Sequence, residues 1–287
     1  MYEKFYRIAS LVFRLSSDFS LNDDEYSSLF RIEPTLPDIS VNVSTVDELP
    51  NPHGTLVSDN ADIRIFRDGD DISAFLMLHG SDKVIAVSSF SASQSGDIAV
   101  SVLAPEKSTP LRIVHIWSVA DICFALLFHD RVVMHSSSVR VGDGAVLFAA
   151  PSGTGKSTQA ELWRKYRGAE VLNGDKNCVM LNGLGNISVC GLPFCGTSGI
   201  CLNYELPISA VVILSQSKSG DNDIRRLGGI EALTSVMRNC MGHSGIQETA
   251  IMMSGILSTV VQSVPVFAFS CTPDERAVIA LEKFLAR

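Results

Sequence analysis

Through the first hundred residues, apolar and polar positions alternate in short runs at 61–67, 72–79, 83–89 and 97–103, separated by the turn sequences DGDD, HGSDK and SQSGD. A period of two turns one face of each run toward a core, so these runs read as an antiparallel meander. The stretch ahead of them, LPDISVNVSTVDELPNPHGTLVSDN, is rich in Pro, Asn, Asp and Ser and reads as loop with one or two short strands. After Pro110 the period changes. LRIVHIWSVADICFALLFH carries apolar residues at helical spacing, and a second domain is expected to begin there, dividing the chain into a β-rich region 1–110 and a domain 111–287.

RVVMHSSSVRVGDGAVLFAA reads as two strands joined by a Val-Gly-Asp-Gly turn, which folds His135 back beside whatever follows the second strand. Further on, GAEVLNGDKNCVML, GNISVCGLPFCG and ISAVVILS alternate strands with turns. Helices are expected at 229–241, 246–262 and 273–286, with PVFAFS a buried strand between the last two. Many hairpins among few helices predict an α/β fold with a mixed sheet rather than a regular doubly wound one.

Composition narrows the class. With 287 residues, 46% of them hydrophobic, core size is not limiting for one large domain or two smaller ones. A formal net charge of −8 and no Lys/Arg cluster argue against a nucleic-acid backbone as the main partner. The uncharged stretch 249–273 is split by Gln262, Ser263 and Pro265 into a helix and a short strand, so no membrane span is expected. The N-terminus lacks an apolar signal core, and seven cysteines form an odd set with no C-x-x-C pair. Both point to a reducing cytoplasm. Cys190, Cys195 and Cys201 match no common zinc spacing and read as structural thiols.

The chemistry concentrates at AVLFAAPSGTGKST, residues 145–158. A strand that ends in a small-residue loop and turns directly into a helix aims backbone N–H groups and the positive end of the helix dipole at one point, which suits phosphate. Lys156 adds a charge for β- and γ-phosphates, and the Ser157 hydroxyl is placed for Mg²⁺. The G-x-x-x-x-G-K-[ST] template has Ala150 at its first glycine, while Gly153 and Gly155 are present. Asp175, in VLNGDKN, follows the loop helix and a strand, so its carboxylate can return to a metal or a nucleophile; Asn-Gly-Asp is equally a plain turn sequence. His135 lies 21 residues ahead of Lys156 and, taken alone, reads as an ordinary strand-end histidine.

His135, a hairpin, P-S-G-T-G-K-S-T and then an aspartate after one helix and strand together resemble the core of HPr kinase/phosphorylase and its relative, ATP-dependent phosphoenolpyruvate carboxykinase. The likeness covers residues 130–200 and extends weakly through GLPFCG, the PISAVVIL strand and the IEAL helix, while the first 110 residues contribute nothing to it. It implies a mixed-sheet P-loop kinase core, with ATP phosphates on Ser152, Gly153, Thr154, Gly155, Lys156, Ser157 and Thr158, Mg²⁺ on Ser157 and Asp175, and His135 near the transferred phosphate. Asp175 matches the second of two adjacent aspartates in those families, and Gly174 stands where the first is expected. Glu205 and Asp221 are candidate replacement acids, and Arg225 and Arg226 candidate cations, each with a surface role as the plain alternative. The function this implies is an ATP-dependent kinase acting on a hydroxyl of a peptide, a protein or a small metabolite, with a homo-oligomer left open. The alternative is a nucleotide-binding regulatory protein of the same fold with weak or no catalysis.

Overall fold

The computed structural model describes residues 1–60, 62–93, 96–104, 111–182, 185–242 and 246–285. Ala61 of the first meander run, Gln94 and Ser95 of the SQSGD turn, Pro110 at the expected domain boundary and Ala286 at the end of the last expected helix lie outside them. The chain divides into two compact units, Met1–His129 with Gly242–Ile251, and Asp130–Met241 with Met252–Arg287. The division after His129, rather than after residue 110, leaves the first expected helix in the β-rich unit. That segment also breaks in two, because Asp121 takes a left-handed conformation (φ 47°) between helices α1 (Ile113–Val119) and α2 (Ile122–Leu127).

The first unit contains strands β1 (Tyr2–Ile8), β2 (Leu11–Ser17), β3 (Arg31–Ile32), β4 (Ile39–Val46), β5 (Thr55–Asp59), β6 (Ile63–Asp68), β7 (Asp71–Met77), β8 (Val84–Ser91) and β9 (Asp97–Leu103). Among the described residues they form one mixed sheet in the order β3-β1-β2-β4-β9-β8-β7-β6-β5. The meander β6 to β9 is antiparallel throughout, and β4 runs parallel to both β2 and β9. Trp117 of α1 is fully buried and meets Tyr6 edge-on, ring centroids 5.0 Å apart. The Ser88 hydroxyl holds the end of α1 through the Val119 carbonyl at 2.5 Å.

The second unit is built on two long strands, β10 (Arg131–Val141) and β15 (Glu205–Gln216). Between them in sequence come β11 (Gly144–Ala149), α3 (Lys156–Arg167), β12 (Val171–Asn173), β13 (Lys176–Leu181) and β14 (Ile187–Gly191). After β15 follow β16 (Asp223–Leu227), α4 (Gly229–Met237), α5 (Gln247–Ser263), whose first turn belongs to the first unit, β17 (Val266–Cys271) and α6 (Glu275–Leu285). The first half of β10 pairs with β13 and the second half with β11 and β12, all antiparallel. Likewise β15 begins against β14 and then lies parallel to both β11 and β17. The result is the expected mixed α/β arrangement.

Helix α3 packs Ala160, Leu162 and Trp163 into a core with Phe148, Val212, Phe269 and Leu281. Arg164, Lys165 and Arg167 occupy its last turn, where cations suit the dipole, and Gly168 (φ 65°) caps it with its N–H on the Arg164 and Trp163 carbonyls. Arg167 then grips Glu282 of α6 through a fork of 2.8–3.0 Å contacts. The C-terminal end of the helix is therefore held by its cap and by this ion pair, and its middle by the core.

Candidate functional site

The loop between β11 and α3 owes its shape to two glycines. Positive φ falls on Gly153 (76°) and Gly155 (122°), and Ala150 is not among the left-handed residues, so an alanine at the first template position costs nothing in backbone strain. The first residues of α3 keep the unsatisfied N–H groups of any helix start, and the Gln159 N–H closes the first turn onto the Gly155 carbonyl at 2.9 Å. Ser152, Ser157 and Thr158 are exposed, and their hydroxyls have no hydrogen-bond partner among the described residues. Lys156 is 7% exposed and curls back to donate to the carbonyls of Ala150 (2.9 Å) and Pro151 (3.4 Å). Burial holds its ammonium below the ordinary lysine range, with the charge of Asp175 acting in the opposite direction.

Strand register brings His135 and Asp175 together. His135 on β10 is the partner of Lys176 on β13, so Asp175 lies one residue beyond the paired position. Residues 171–181 run antiparallel to β10 except at Gly174–Asp175, where the regular pairing is interrupted and one backbone and one side-chain bond span the gap. Ser136 N–H donates to the Asp175 carbonyl at 2.9 Å, and Ser137 Oγ to the Gly174 carbonyl at 2.9 Å. Buried Asn173 accepts from the N–H groups of Asp175 (2.8 Å) and Lys176 (2.9 Å) on one amide oxygen, and its Nδ2 donates to the Leu192 carbonyl at 2.8 Å. So braced, the Asp175 carboxylate meets His135 Nε2 at 3.1 Å. Burial alone would raise the Asp175 pKa, but the His135 hydrogen bond and the charges of Lys176, His135 and Lys156 together bring it below the usual carboxylate range. Nε2 is thus the His135 nitrogen that donates to the Asp175 carboxylate.

The serine run 136–138 was not singled out in the sequence, although it does much of this bracing. All three serines are fully buried, and Asn177 joins them, donating to the Ser136 carbonyl at 2.6 Å and accepting from Ser138 Oγ at 2.5 Å. Three consecutive hydroxyls in RVVMHSSSVRV, a strand otherwise rich in Val, are the available signal: a buried strand carries such residues only where they have partners.

Gly174 has a neighbour that explains its identity. A Cβ placed there would lie 2.1 Å from Ser198 Oγ and 2.4 Å from Ser198 Cβ. Ser198 in turn is held by the Cys195 carbonyl at 2.6 Å, and Gly196 (φ 55°) lies so close to Asp175 that a Cβ there would meet its Cγ at 2.9 Å. Residues 195–199 thus occupy the space a second aspartate would need. Gly174→Asp is expected to lower stability by about 1–3 kcal/mol in denaturant melts, and adding Ser198→Gly should recover most of that loss.

The other candidates stand elsewhere. Arg225 is forked onto Glu231 at 2.5 and 3.0 Å, Glu205 accepts from Ser188 at 2.5 Å, and no contact joins Arg226 or Asp221 to Asp175 among the described residues. Nor do the described residues contain a group of three or more His, Cys, Asp or Glu able to hold a metal. Cys190 faces Met180, and Cys195 and Cys201 are buried, as structural thiols are. For Mg²⁺ the test is different, because that ion takes few protein oxygens and completes its shell with phosphate and water. The free Ser157 hydroxyl and the anionic Asp175 carboxylate are hard oxygen donors of that kind.

Two cavities flank the loop. One, of about 450 Å³, is lined by His135, Ala150, Pro151, Ile213, Arg238 and Met241, among others. The expected helix 229–241 ends early, at Met237, and its last residues return to β10 instead: Asn239 O accepts from His135 N–H (2.8 Å), and Met241 N–H donates to Val133 O (2.7 Å). That return carries Arg238 and Met241, which sequence reading left inside a helix. The other cavity, of about 320 Å³, is lined by Gly153–Gly155, Thr158, Gln159 and residues from the ends of β15 and β17. No described helix is long and apolar enough to cross a membrane.

No family model matches the chain, and no curated protein matches it. Among solved structures it is similar to the HPr(Ser) kinase/phosphatase from Coxiella burnetii, at 11% sequence identity and a TM-score of 0.32, over 54% of this chain and 93% of that one.

Proposed function

We propose that this chain is an ATP-dependent kinase with a P-loop core, transferring the γ-phosphoryl group of MgATP to a hydroxyl of a peptide, a protein or a small metabolite. The observation that carries this reading is the meeting, in one unit, of the Gly153–Gly155 loop with its buried Lys156 and the His135–Asp175 pair at 3.1 Å, linked by the cavity that His135, Ala150 and Pro151 line together. Phosphoryl transfer asks for phosphate positioning, charge neutralisation and a group that orients the nucleophile. The N–H groups at the start of α3 and the Lys156 ammonium hold the phosphates, with Ser152, Thr154 and Thr158 around them. Ser157 and Asp175 would hold Mg²⁺, which would supply charge neutralisation on the phosphate oxygens.

In the transfer step the acceptor oxygen attacks Pγ in line, a new O–P bond forms, and the bond from Pγ to the β–γ bridging oxygen breaks to release ADP. The acceptor's proton passes to the His135–Asp175 pair. Lys156 leaves the Ala150 and Pro151 carbonyls for the phosphates, so the ligand-free lysine is held in store next to where it acts. Single-turnover incubation with γ-labelled ATP and a panel of Ser- and Thr-bearing peptides and small hydroxy compounds tests this. Label must move to an acceptor in the wild type and not in Asp175→Asn.

A second reading is favoured by one observation, the Ser198 side chain packed where a first aspartate would sit. A nucleotide-binding regulatory protein would bind MgATP in the same assay and transfer label to no acceptor.

A further inference from the structure

The cavity of about 450 Å³ beside the loop holds one charged group that the transfer step leaves unused. Arg238 lines it together with His135, Pro151, Ile213 and Met241. The residue is exposed, and among the described residues its guanidinium has no hydrogen bond and no ion pair. The backbone around it is tied down. Arg238 N–H donates to the Thr234 carbonyl at 3.2 Å, Asn239 takes the His135 N–H on its carbonyl at 2.8 Å, and Met241 N–H donates to the Val133 carbonyl at 2.7 Å. Asn239 Nδ2 adds a bond back to the Ser235 carbonyl at 2.9 Å. The guanidinium therefore starts from a fixed point, one residue from a backbone bond to His135, and is not carried away from the cavity. The described residues that line the cavity include no Asp or Glu to neutralise it.

The lining divides by chemistry. His135, paired with Asp175, receives a proton; Arg238 offers a planar fork of N–H donors, which suits a carboxylate or a phosphate; and Pro151, Ile213 and Met241 supply apolar surface for a short carbon skeleton. The volume is that of a small-molecule site. We propose that the phosphate acceptor is a small hydroxy compound carrying a carboxylate or phosphate group, with its hydroxyl toward His135 and its anionic group on Arg238. The proposal rests on the kinase reading of the same site. The acceptor hydroxyl gives its proton to the His135–Asp175 pair, its oxygen bonds to Pγ, ADP leaves, and the product is a phosphate ester that keeps the anionic group. A neutral hydroxy compound gains nothing from Arg238, and the difference in transition-state binding sets the preference.

Transfer of label from γ-labelled ATP by the full chain to glycerate, glycerol phosphate and glycerol, which share a carbon skeleton, tests it, with a Ser-bearing peptide as a further arm. The wild type is expected to use at least one of the two anionic compounds with a kcat/KM at least about tenfold above that for glycerol, and the carboxylate and phosphate arms tell which anion the site takes. Arg238→Gln should bring that ratio close to one, chiefly through a higher KM for the anionic acceptor. Arg238→Lys keeps the charge and should keep a preference, which covers the case in which the glutamine variant fails to fold. Preference for glycerol or the peptide in the wild type, or an anion preference that survives in Arg238→Gln, overturns the acceptor site and leaves the kinase reading standing. An equal loss of rate with every acceptor in Arg238→Gln overturns it too, by placing Arg238 on the transferred phosphate. No label on any acceptor removes both readings.

Discussion

Lys156→Met should abolish MgATP binding, raising the dissociation constant by roughly two to four powers of ten. The estimate follows from the loss of two charge-assisted hydrogen bonds to phosphate, each worth about 1.5–3 kcal/mol. Methionine keeps the length and apolar stem of lysine, so the cradle of loop N–H groups stays in place, and what is removed is the charge. The stability of the ligand-free protein should change little. Burial already disfavours the Lys156 ammonium, and relief of that penalty offsets the donor lost by the Ala150 and Pro151 carbonyls. The two effects separate in one measurement: thermal melts with and without MgATP should show a nucleotide-dependent rise in the wild type and none in Lys156→Met, from nearly equal starting points. A variant that kept the wild-type rise would place the phosphates elsewhere.

The strand, loop and helix around Lys156 are legible in the sequence because each part has its own local cause. Six buried positions in a row make β11, positive φ at Gly153 and Gly155 makes the loop, and Gly168 ends α3. The meander β6 to β9 is legible for a similar reason, since turn residues punctuate a period of two. The first hairpin is not. Its turn places Ala9 (φ 52°) and Ser10 (φ 63°) in the left-handed region, which neither residue signals, and the pairing of β1 with β2 has to be read from the whole sheet. The boundary after residue 129 is hidden in the same way, because α1 and α2 carry a helical apolar pattern whichever unit they cover.

At the candidate site, the sequence shows where chemistry is concentrated better than what holds it. The hairpin places His135 beside the loop by simple connectivity. The closeness of Asp175 depends on a register across β10 and β13 that no local pattern states, and the support of Asp175 by Asn173, Ser136 and Ser137 depends on a break in that ladder. Ser198 filling the space beside Gly174 is a contact between segments more than twenty residues apart, and only packing shows it. The same holds for Arg238, brought to the cavity when residues after α4 bond back to β10.

Asp175→Asn is expected to lower kcat by two to four powers of ten, the range for removing a positioned acid–base group, with the dissociation constant for ATP measured without Mg²⁺ changed by less than about fivefold. Asparagine preserves the shape and an oxygen for His135 Nε2 to donate to, so a collapse of turnover with binding retained isolates the charge from the scaffold. With the first-aspartate position closed by Ser198, no adjacent carboxylate can take over the proton or the metal contact, and the loss should not be rescued by raising pH or Mg²⁺. Stability carries an independent signature. The Asp175 carboxyl is held below its unfolded value, so the ionised group adds stability above about pH 4, and that contribution is lost as pH falls through the lower folded value. Urea melts between about pH 2 and 5 should therefore show wild type losing stability more steeply than Asp175→Asn. Equal slopes would mean that His135, Lys176 and Lys156 do not hold this carboxylate in its charged form, and the proton-accepting role would have to pass to His135 alone.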